Sequence, residues 1–397
     1  MYRYFDFHPA PECKASSVSP KTHGLIPVWG FGTITKSSHP KIQVAERVYG
    51  YFAPTRYLLV CIHPSDVNKF SFYVSRPHLP AGEFNNLFIV FFLYIKILFT
   101  DRRPYNQIIR CASDPQYTPT SIGEDLTMLY RPLFWTSYWC EDWIHSSNYR
   151  SEVSHILISS ASSKTAFCLA YLIGKRIRRG EINKDTKIIG LTSKGNVDFT
   201  NRLELYHEVL DYDSFTSAHY FQGGQDSSSR WLYVDVAGNA KLNKRIHAHF
   251  ASPYSGKLAA NIALGLTNLQ PSTANTAPKN LGTNPFNNNN MSSKDALNDT
   301  STWPREEFFF MPEWLDIRRH QIPILEIFRR QNQAWKELME DCTGWVELKR
   351  VYGAAGVEKA YRKVISREGL GPDKGLIWSL WDEGDTTTKL MATSSKL

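Results

Sequence analysis

The stretch from His155 to Ala170, HILISSASSKTAFCLA, constrains this chain more than any other. An apolar run ends abruptly in small hydroxyl residues, and these open an amphipathic segment. Ile156, Leu157 and Ile158 suit a fully buried strand, while Ala166, Phe167, Leu169, Ala170, Leu172 and Ile173 recur at helical spacing on one face. The pattern predicts strand, tight turn, helix. At such a helix start, unpaired backbone N–H groups and the positive end of the helix dipole make a place for a phosphate. Ser159, Ser160, Ser162, Ser163 and Thr165 can add hydroxyl donors there, with Lys164 among them. The turn lacks the glycines of the usual dinucleotide fingerprint, and serine and alanine are the next smallest choices. A serine-rich turn is equally a plain helix cap, so both readings stand at this point.

The text downstream repeats the unit. Thr186 to Thr192, TKIIGLT, reads as a second apolar strand, whose end belongs beside the adenosine ribose in a doubly wound sheet. An NAD site usually carries a carboxylate there for the ribose 2′-hydroxyl. This chain offers Thr192, Ser193 and Lys194, which favours a 2′-phosphate and hence NADP(H), against the plain alternative of a solvated loop lysine. Leu203 to Tyr212 reads as a helix end and third strand, Trp231 to Val236 as a fourth strand closed by Ala237 and Gly238, and Gly256 to Gly265 as a fifth, with Tyr212 and Gly238 as further candidate cofactor contacts. Strand and helix thus alternate from about 150 to 270, as parallel α/β units do.

A chain of 397 residues with 42% hydrophobic and 13% aromatic residues can bury two or three domains. Its 46 basic and 38 acidic residues give +8, but the basic residues are scattered and not interleaved with aromatics, which excludes the pattern of a nucleic-acid binder. Six cysteines without CxxC pairing or regular spacing argue against a disulfide framework or structural zinc and fit reduced cytoplasmic thiols. The run Leu87 to Ile95 is too short to cross a bilayer and is followed by Lys96, so no membrane span is expected. His207 and Glu208 lack a second histidine at helical spacing, and His247 and His249 point to different helix faces, so no metal is implied.

Gly24 to Ile62 alternates apolar runs with Gly, Pro and Ser and predicts short antiparallel strands in a small, irregular barrel. Within it VAERVYGY, Val44 to Tyr51, resembles the "vGdrVyGy" element in the first domain of the medium-chain dehydrogenase/reductase superfamily. SSASSKTA, IGLTSKGN, VLDYDSF and VDVAGN look like the cofactor domain of its zinc-independent quinone and enoyl reductase members. More closely, the chain resembles an uncharacterised fungal and bacterial family, known as a domain of unknown function, distantly related to those reductases.

That resemblance implies a Rossmann-like doubly wound parallel sheet beside a partial GroES-like β-barrel domain. The expected organisation is a GroES-like substrate domain over 1–145, a Rossmann-like cofactor domain over 146–270, a disordered loop over 271–302, and C-terminal helices with return strands to the first domain over 303–397, Gly375 to Leu380 being the candidate last strand. The match to the superfamily begins late, so an N-terminal piece of the first domain is expected to be missing. Residues 82–100 differ sharply from both flanks and read as a translated-intron insert. Pro104 to Ile144 is expected to form two helices. Thr136, in LFWTSYW, stands where the superfamily has a "TAy" element near the nicotinamide, and Tyr51, Tyr105 and Asn106 are candidate substrate contacts; structural roles for all four stay open.

The activity implied is zinc-independent hydride transfer from NADPH to a carbonyl or activated double bond of a small-molecule substrate, in a homodimer. Two other readings of the same fold are a noncatalytic nucleotide-binding or scaffold protein, suggested by the missing glycines, and a defective gene product. A P-loop nucleotide triphosphatase is a weaker rival. Lys164-Thr165 and WLYVD mimic its motifs, but Ser163 and Ile158 occupy the places where it needs glycine.

Overall fold

The computed structural model describes residues 6–12, 17–74, 104–222, 229–252, 255–264, 306–366 and 369–384. The expected insert at 82–100 and loop at 271–302 lie outside the described residues.

The first sheet is antiparallel. It comprises β1 (Val28–Thr33), β2 (Arg47–Phe52), β3 (Ile62–Val67), β4 (Ser71–Val74) and β5 (Gln107–Arg110) in the order β1-β2-β5-β4-β3. Ile42, Val48, Phe72 and Ile108 form its buried core. As a partial barrel, it leaves β1 and β3 as unpaired edges among the described residues.

One expectation fails here. Pro104 to Ile144 does not make two helices: Gln107–Arg110 is strand β5, which lies between β2 and β4, and a single helix α1 (Ser121–Ile144) follows. Pairing on both sides captures the β-branched Ile108 and Ile109 and overrides the helical register of the local pattern. The α1 helix begins at Thr120, whose hydroxyl accepts from Gly123 N at 3.1 Å, and it continues through Pro132.

After the short α2 (Asn148–Ser151) comes the parallel sheet. Its elements are β6 (His155–Ile158), α3 (Lys164–Arg178), β7 (Lys187–Thr192), α4 (Val197–Arg202), β8 (Glu208–Asp211), β9 (Arg230–Asp235), α5 (Ala240–Phe250), β10 (Lys257–Ala263) and β11 (Glu306–Phe308). The strand order is β11-β10-β9-β6-β7-β8, and every neighbouring pair is parallel. Counted from β6, this is the 3-2-1-4-5-6 order of the doubly wound dinucleotide-binding fold. The central strand β6 pairs with β7 and β9, and Ile156, Leu157 and Ile158 expose no surface. The sixth strand, β11, is three residues long, and the spacing that reads as helical begins at its last residue, Phe308, so periodicity does not reveal it.

Helices α6 (Met311–Gln321) and α7 (Ile324–Asp341) follow, then β12 (Glu347–Tyr352), α8 (Ala354–Ile365) and β13 (Lys374–Ser379). The last two strands form their own parallel pair rather than extending the first sheet, because the intervening helix returns the chain in the same direction. Their tie to the first sheet's side of the molecule runs through Arg56, which donates to Leu380 O at 2.8 Å. No described helix is long and apolar enough to cross a membrane.

Two consequences are measurable. A Cβ at Gly190 in β7 would stand 2.8 Å from Ala161 Cβ and 3.0 Å from the Tyr206 ring. Gly190→Ala is therefore expected to lower unfolding free energy by about 1–3 kcal/mol in urea titration. The second concerns His155, whose ring stacks on Trp231 at 4.3 Å. Burial, helped by the charges of Lys187 and His219, pushes its imidazole down from 6.5 to about 4. The unfolded chain then binds a proton that the folded chain refuses, so the stability contributed by the neutral ring is present above pH 6.5 and is lost as pH falls toward 4. The slope of unfolding free energy against pH across that window is expected to be shallower in His155→Phe.

Candidate functional site

In an open doubly wound sheet, ligands bind outside the carboxyl ends of the strands where the chain changes direction across the sheet. Here that point lies between β6 and β9, and the serine turn crosses it. The turn closes tightly, with Ser163 N donating to Ser160 O at 2.7 Å. Ser160 takes φ +52°, the left-handed conformation that glycine normally fills, at a cost of about 1–2 kcal/mol for a residue with a Cβ. Ala161 is pinned on both sides: its N–H donates to Leu191 O at 2.9 Å and its carbonyl accepts from Tyr206 Oη at 2.9 Å. The glycine that permits this close approach sits in the neighbouring strand, as Gly190.

The turn's hydroxyls divide into internal struts and outward groups. Ser159 Oγ donates to Asp235 Oδ1 at 3.0 Å and accepts from Val236 N at 3.0 Å, so it is committed to the scaffold. Ser162 Oγ accepts from Thr192 Oγ1 at 3.0 Å and from Asn196 Nδ2 at 3.2 Å. Ser163 caps α3 by accepting from Ala166 N at 3.3 Å. The amides of Lys164 and Thr165 precede the first backbone bond of this helix, Phe167 N to Ser163 O, and are the donors that a helix N-terminus turns toward a ligand. Lys164 itself is drawn aside. Burial lowers its pKa, and Nζ donates to Lys374 O at 3.4 Å.

At the ends of β7 and β8, the residues expected beside the ribose fall into two groups. Thr192 is buried with its hydroxyl on Ser162, whereas Ser193 and Lys194 are exposed. Tyr212 lies across the crevice, its Oη 3.4 Å from Ser160 Oγ, and its carbonyl accepts from Arg245, which also donates to Asp213 O at 3.0 Å. Asp211 is close enough for the Lys194 charge to help lower its carboxyl pKa, after the larger effect of the Ser214 hydroxyl. Lys194 thus has an acidic neighbour that the linear text did not reveal. Gly238, at φ +69°, donates to Asp235 Oδ1 at 2.9 Å, closing the loop after β9.

The four candidate substrate contacts divide likewise. Tyr51 and Tyr105 lie 5.3 Å apart in an aromatic cluster with Trp29, and Asn106 is fully buried beside them in sequence. Thr136 back-bonds to Pro132 O at 3.1 Å, within its own helix. Its neighbour Ser137 reaches the turn's helix instead, donating to Thr165 O at 2.8 Å. Among the described residues no three His, Cys, Asp or Glu side chains gather as metal ligands, and the five described cysteines are free thiols.

Asp235 is the residue whose importance the linear reading missed. It is 1% exposed and accepts from Ser159 Oγ, from the Ala237 and Gly238 amides, and from Asn243 Nδ2 at 2.5 Å. Asn243 in turn accepts from Tyr233 Oη at 2.6 Å. A carboxylate ending an apolar strand three residues before a glycine is a visible signal for such a role, which resemblance to a P-loop strand obscured. Asp235→Ala orphans several buried donors, each worth about 1–3 kcal/mol. A loss of at least about 3 kcal/mol in urea unfolding is expected, with a smaller loss for Asp235→Asn, which keeps one acceptor.

No curated protein sequence matches the chain. Among solved structures it is similar to CurA from Vibrio vulnificus in complex with NADPH (10% identity, 94% of this chain and 84% of that one covered, TM-score 0.49). It is also similar to the yhdH oxidoreductase from Salmonella enterica in complex with NADP (10% identity, 89% and 82%, TM-score 0.41) and to the quinone oxidoreductase from Coxiella burnetii (11% identity, 89% and 78%, TM-score 0.40). The fold rests on the strand order and register given above, not on these likenesses. The model of one family, "Protein of unknown function (DUF2855)", matches residues 1–369, and the chain belongs to that family.

Proposed function

We propose that this protein is an NADP(H)-dependent, zinc-independent oxidoreductase of the medium-chain reductase type, acting in the cytoplasm on a small carbonyl compound or activated alkene. The observation that carries the reading is the placement of the serine turn: it crosses the switch point of a 3-2-1-4-5-6 sheet and presents the start of a 15-residue helix. The residues there fit a dinucleotide. The Lys164 and Thr165 amides, at the helix start capped by Ser163, would hold the pyrophosphate, Tyr212 beside Ser160 would wall the crevice, and the exposed Ser193 and Lys194 would hold the 2′-phosphate.

The bound cofactor supplies the hydride. The chain's part is to bind, orient and exclude water. Ser160 in its left-handed conformation lets the turn bend without glycine, and Asp235 holds the opposite loop in place through Gly238. Tyr51 and Tyr105, with their aromatic neighbours, offer an apolar wall for an organic substrate.

A second reading has its own support. The hydroxyls of Ser159, Ser162 and Ser163 all serve internal bonds, as a purely structural turn would require, which favours a noncatalytic protein of the same fold. Thermal-shift titration with NADPH and NADH tests both, since a ligand binding only the folded state stabilises it by about 2.7 kcal/mol at 100 times its Kd. NADPH is expected to raise the midpoint more than NADH, and Lys194→Ala to erase most of that preference, about tenfold in affinity for a lost charged contact. Stabilisation without turnover of quinones, enones or aldehydes would favour the second reading. No shift with either nucleotide from folded protein would refute cofactor binding.

A further inference from the structure

At the opposite end of α3 lies a cavity of about 330 Å³, walled by the ends of α1 and α3 and by α6 and α7. Arg176 lines it, about 18 Å along the helix from Lys164 at 1.5 Å per residue, so the cavity is separate from the serine turn. Asp142, His145, Trp314, Arg318 and Arg330 also line it.

His145 is the side chain that this wall leaves with no hydrogen bond at all. Its side chain is 4% exposed, and neither Nδ1 nor Nε2 has a hydrogen-bond partner. Its nearest carboxylate, Glu141, stands 3.6 Å from Nε2, beyond a hydrogen bond. Burial, and then the charge of Arg176, push the imidazole down to about 3, so the contact with Glu141 is not an ion pair and the ring is neutral. A neutral imidazole carries one donor and one acceptor, and leaving both unmatched in a buried position is costly.

The arginines differ in what they have left. Arg318 is committed to the wall: Nη2 donates to Asp142 Oδ1 at 3.0 Å and Nη1 to Gln321 Oε1 at 2.8 Å, while Nε lies 2.9 Å from Asp142 Oδ2 as an ion pair without hydrogen-bond geometry. Arg176 is held by Glu141, and by Glu181 at 2.9 Å. Arg330 gives only Nε, to Glu326 Oε1 at 2.7 Å, and its other two nitrogens make no bond among the described residues. Its side chain is 47% exposed, which places it at the rim while His145 sits deep. A guanidinium with a free fork pairs with two oxygens of an oxyanion, and a further oxygen, protonated or not, matches one nitrogen of a neutral imidazole.

We propose that this cavity binds a small oxyanion, inorganic phosphate or a short dicarboxylate, with Arg330 and His145 as its recognition groups. The site stands independently of the cofactor reading. Isothermal titration of the full chain at pH 7.5 and constant ionic strength, with inorganic phosphate in one arm, malonate in another and chloride as control, tests it. One equivalent of phosphate or malonate is expected to bind, and whichever binds more tightly identifies the class. Arg330→Gln, at the exposed rim, is expected to weaken binding at least tenfold and His145→Gln to weaken it as well, with the midpoint shift given by NADPH unchanged in both. Should His145→Gln fail to fold, Arg330→Gln alone decides. Absence of binding by both anions, an affinity untouched by Arg330→Gln, or equal competition by chloride would overturn the proposal.

Discussion

The buried hydrogen bond from Ser159 to Asp235 joins β6 to β9, the two strands between which the sheet reverses its order of growth. It extends the pairing past the last register pair, Ile158 with Val234, where one backbone bond from Ser159 N to Val234 O at 2.9 Å otherwise ends the ladder. The same carboxylate gathers the Ala237 and Gly238 amides, so one acidic side chain fixes both lips of the crevice. In a low-dielectric interior, such a network is worth having only if every member is satisfied. Ser159 meets that condition by donating to Asp235 while accepting from Val236 N.

Helix α1 carries the rest of the architecture. Along its length it engages the first sheet through Glu124, which pairs with Arg47 and accepts from Tyr117 at 2.9 Å. It engages β12 through Asp125 and Arg350, α3 through Glu141 and Arg176, and α6 through Asp142, which accepts from Trp314 at 2.8 Å. Its apolar residues Tyr130, Phe134, Cys140 and Ile144 are fully buried. Several of these carboxylates are themselves poorly solvated: burial raises Asp125 and Glu141 against the lowering effect of their arginines. Charge pairs of this kind contribute little net stability, but breaking one leaves an uncompensated buried charge, so they specify which face of α1 meets which partner.

The parallel sheet was legible because its strands are short apolar runs separated by amphipathic helices, and burial on both faces demands such runs. The serine turn was legible for the same reason, as a break between two strong periodicities. What escaped the linear text depends on partners distant in sequence. Gln107–Arg110 became a strand only because β2 and β4 flank it. Lys164, expected at the ligand, is claimed by a carbonyl 210 residues later, and Ser162 by Thr192 and Asn196. Asp235 was visible as a residue but not as a hub, since the donors converging on it come from three separate segments.

The Lys164 tether has a mechanical meaning. Its aliphatic stem runs from the first residue of α3 to the backbone of β13, so a cation joins the start of α3 to the parallel pair β12–β13, beside the packing of Leu348 on the cluster that holds Phe167 and Tyr171. The C-terminal unit therefore reports on the state of the crevice rim: displacing β13 must either pull on the start of α3 or release a half-buried ammonium group. Burial lowers the pKa of that ammonium, so leaving it unpaired there would be costly.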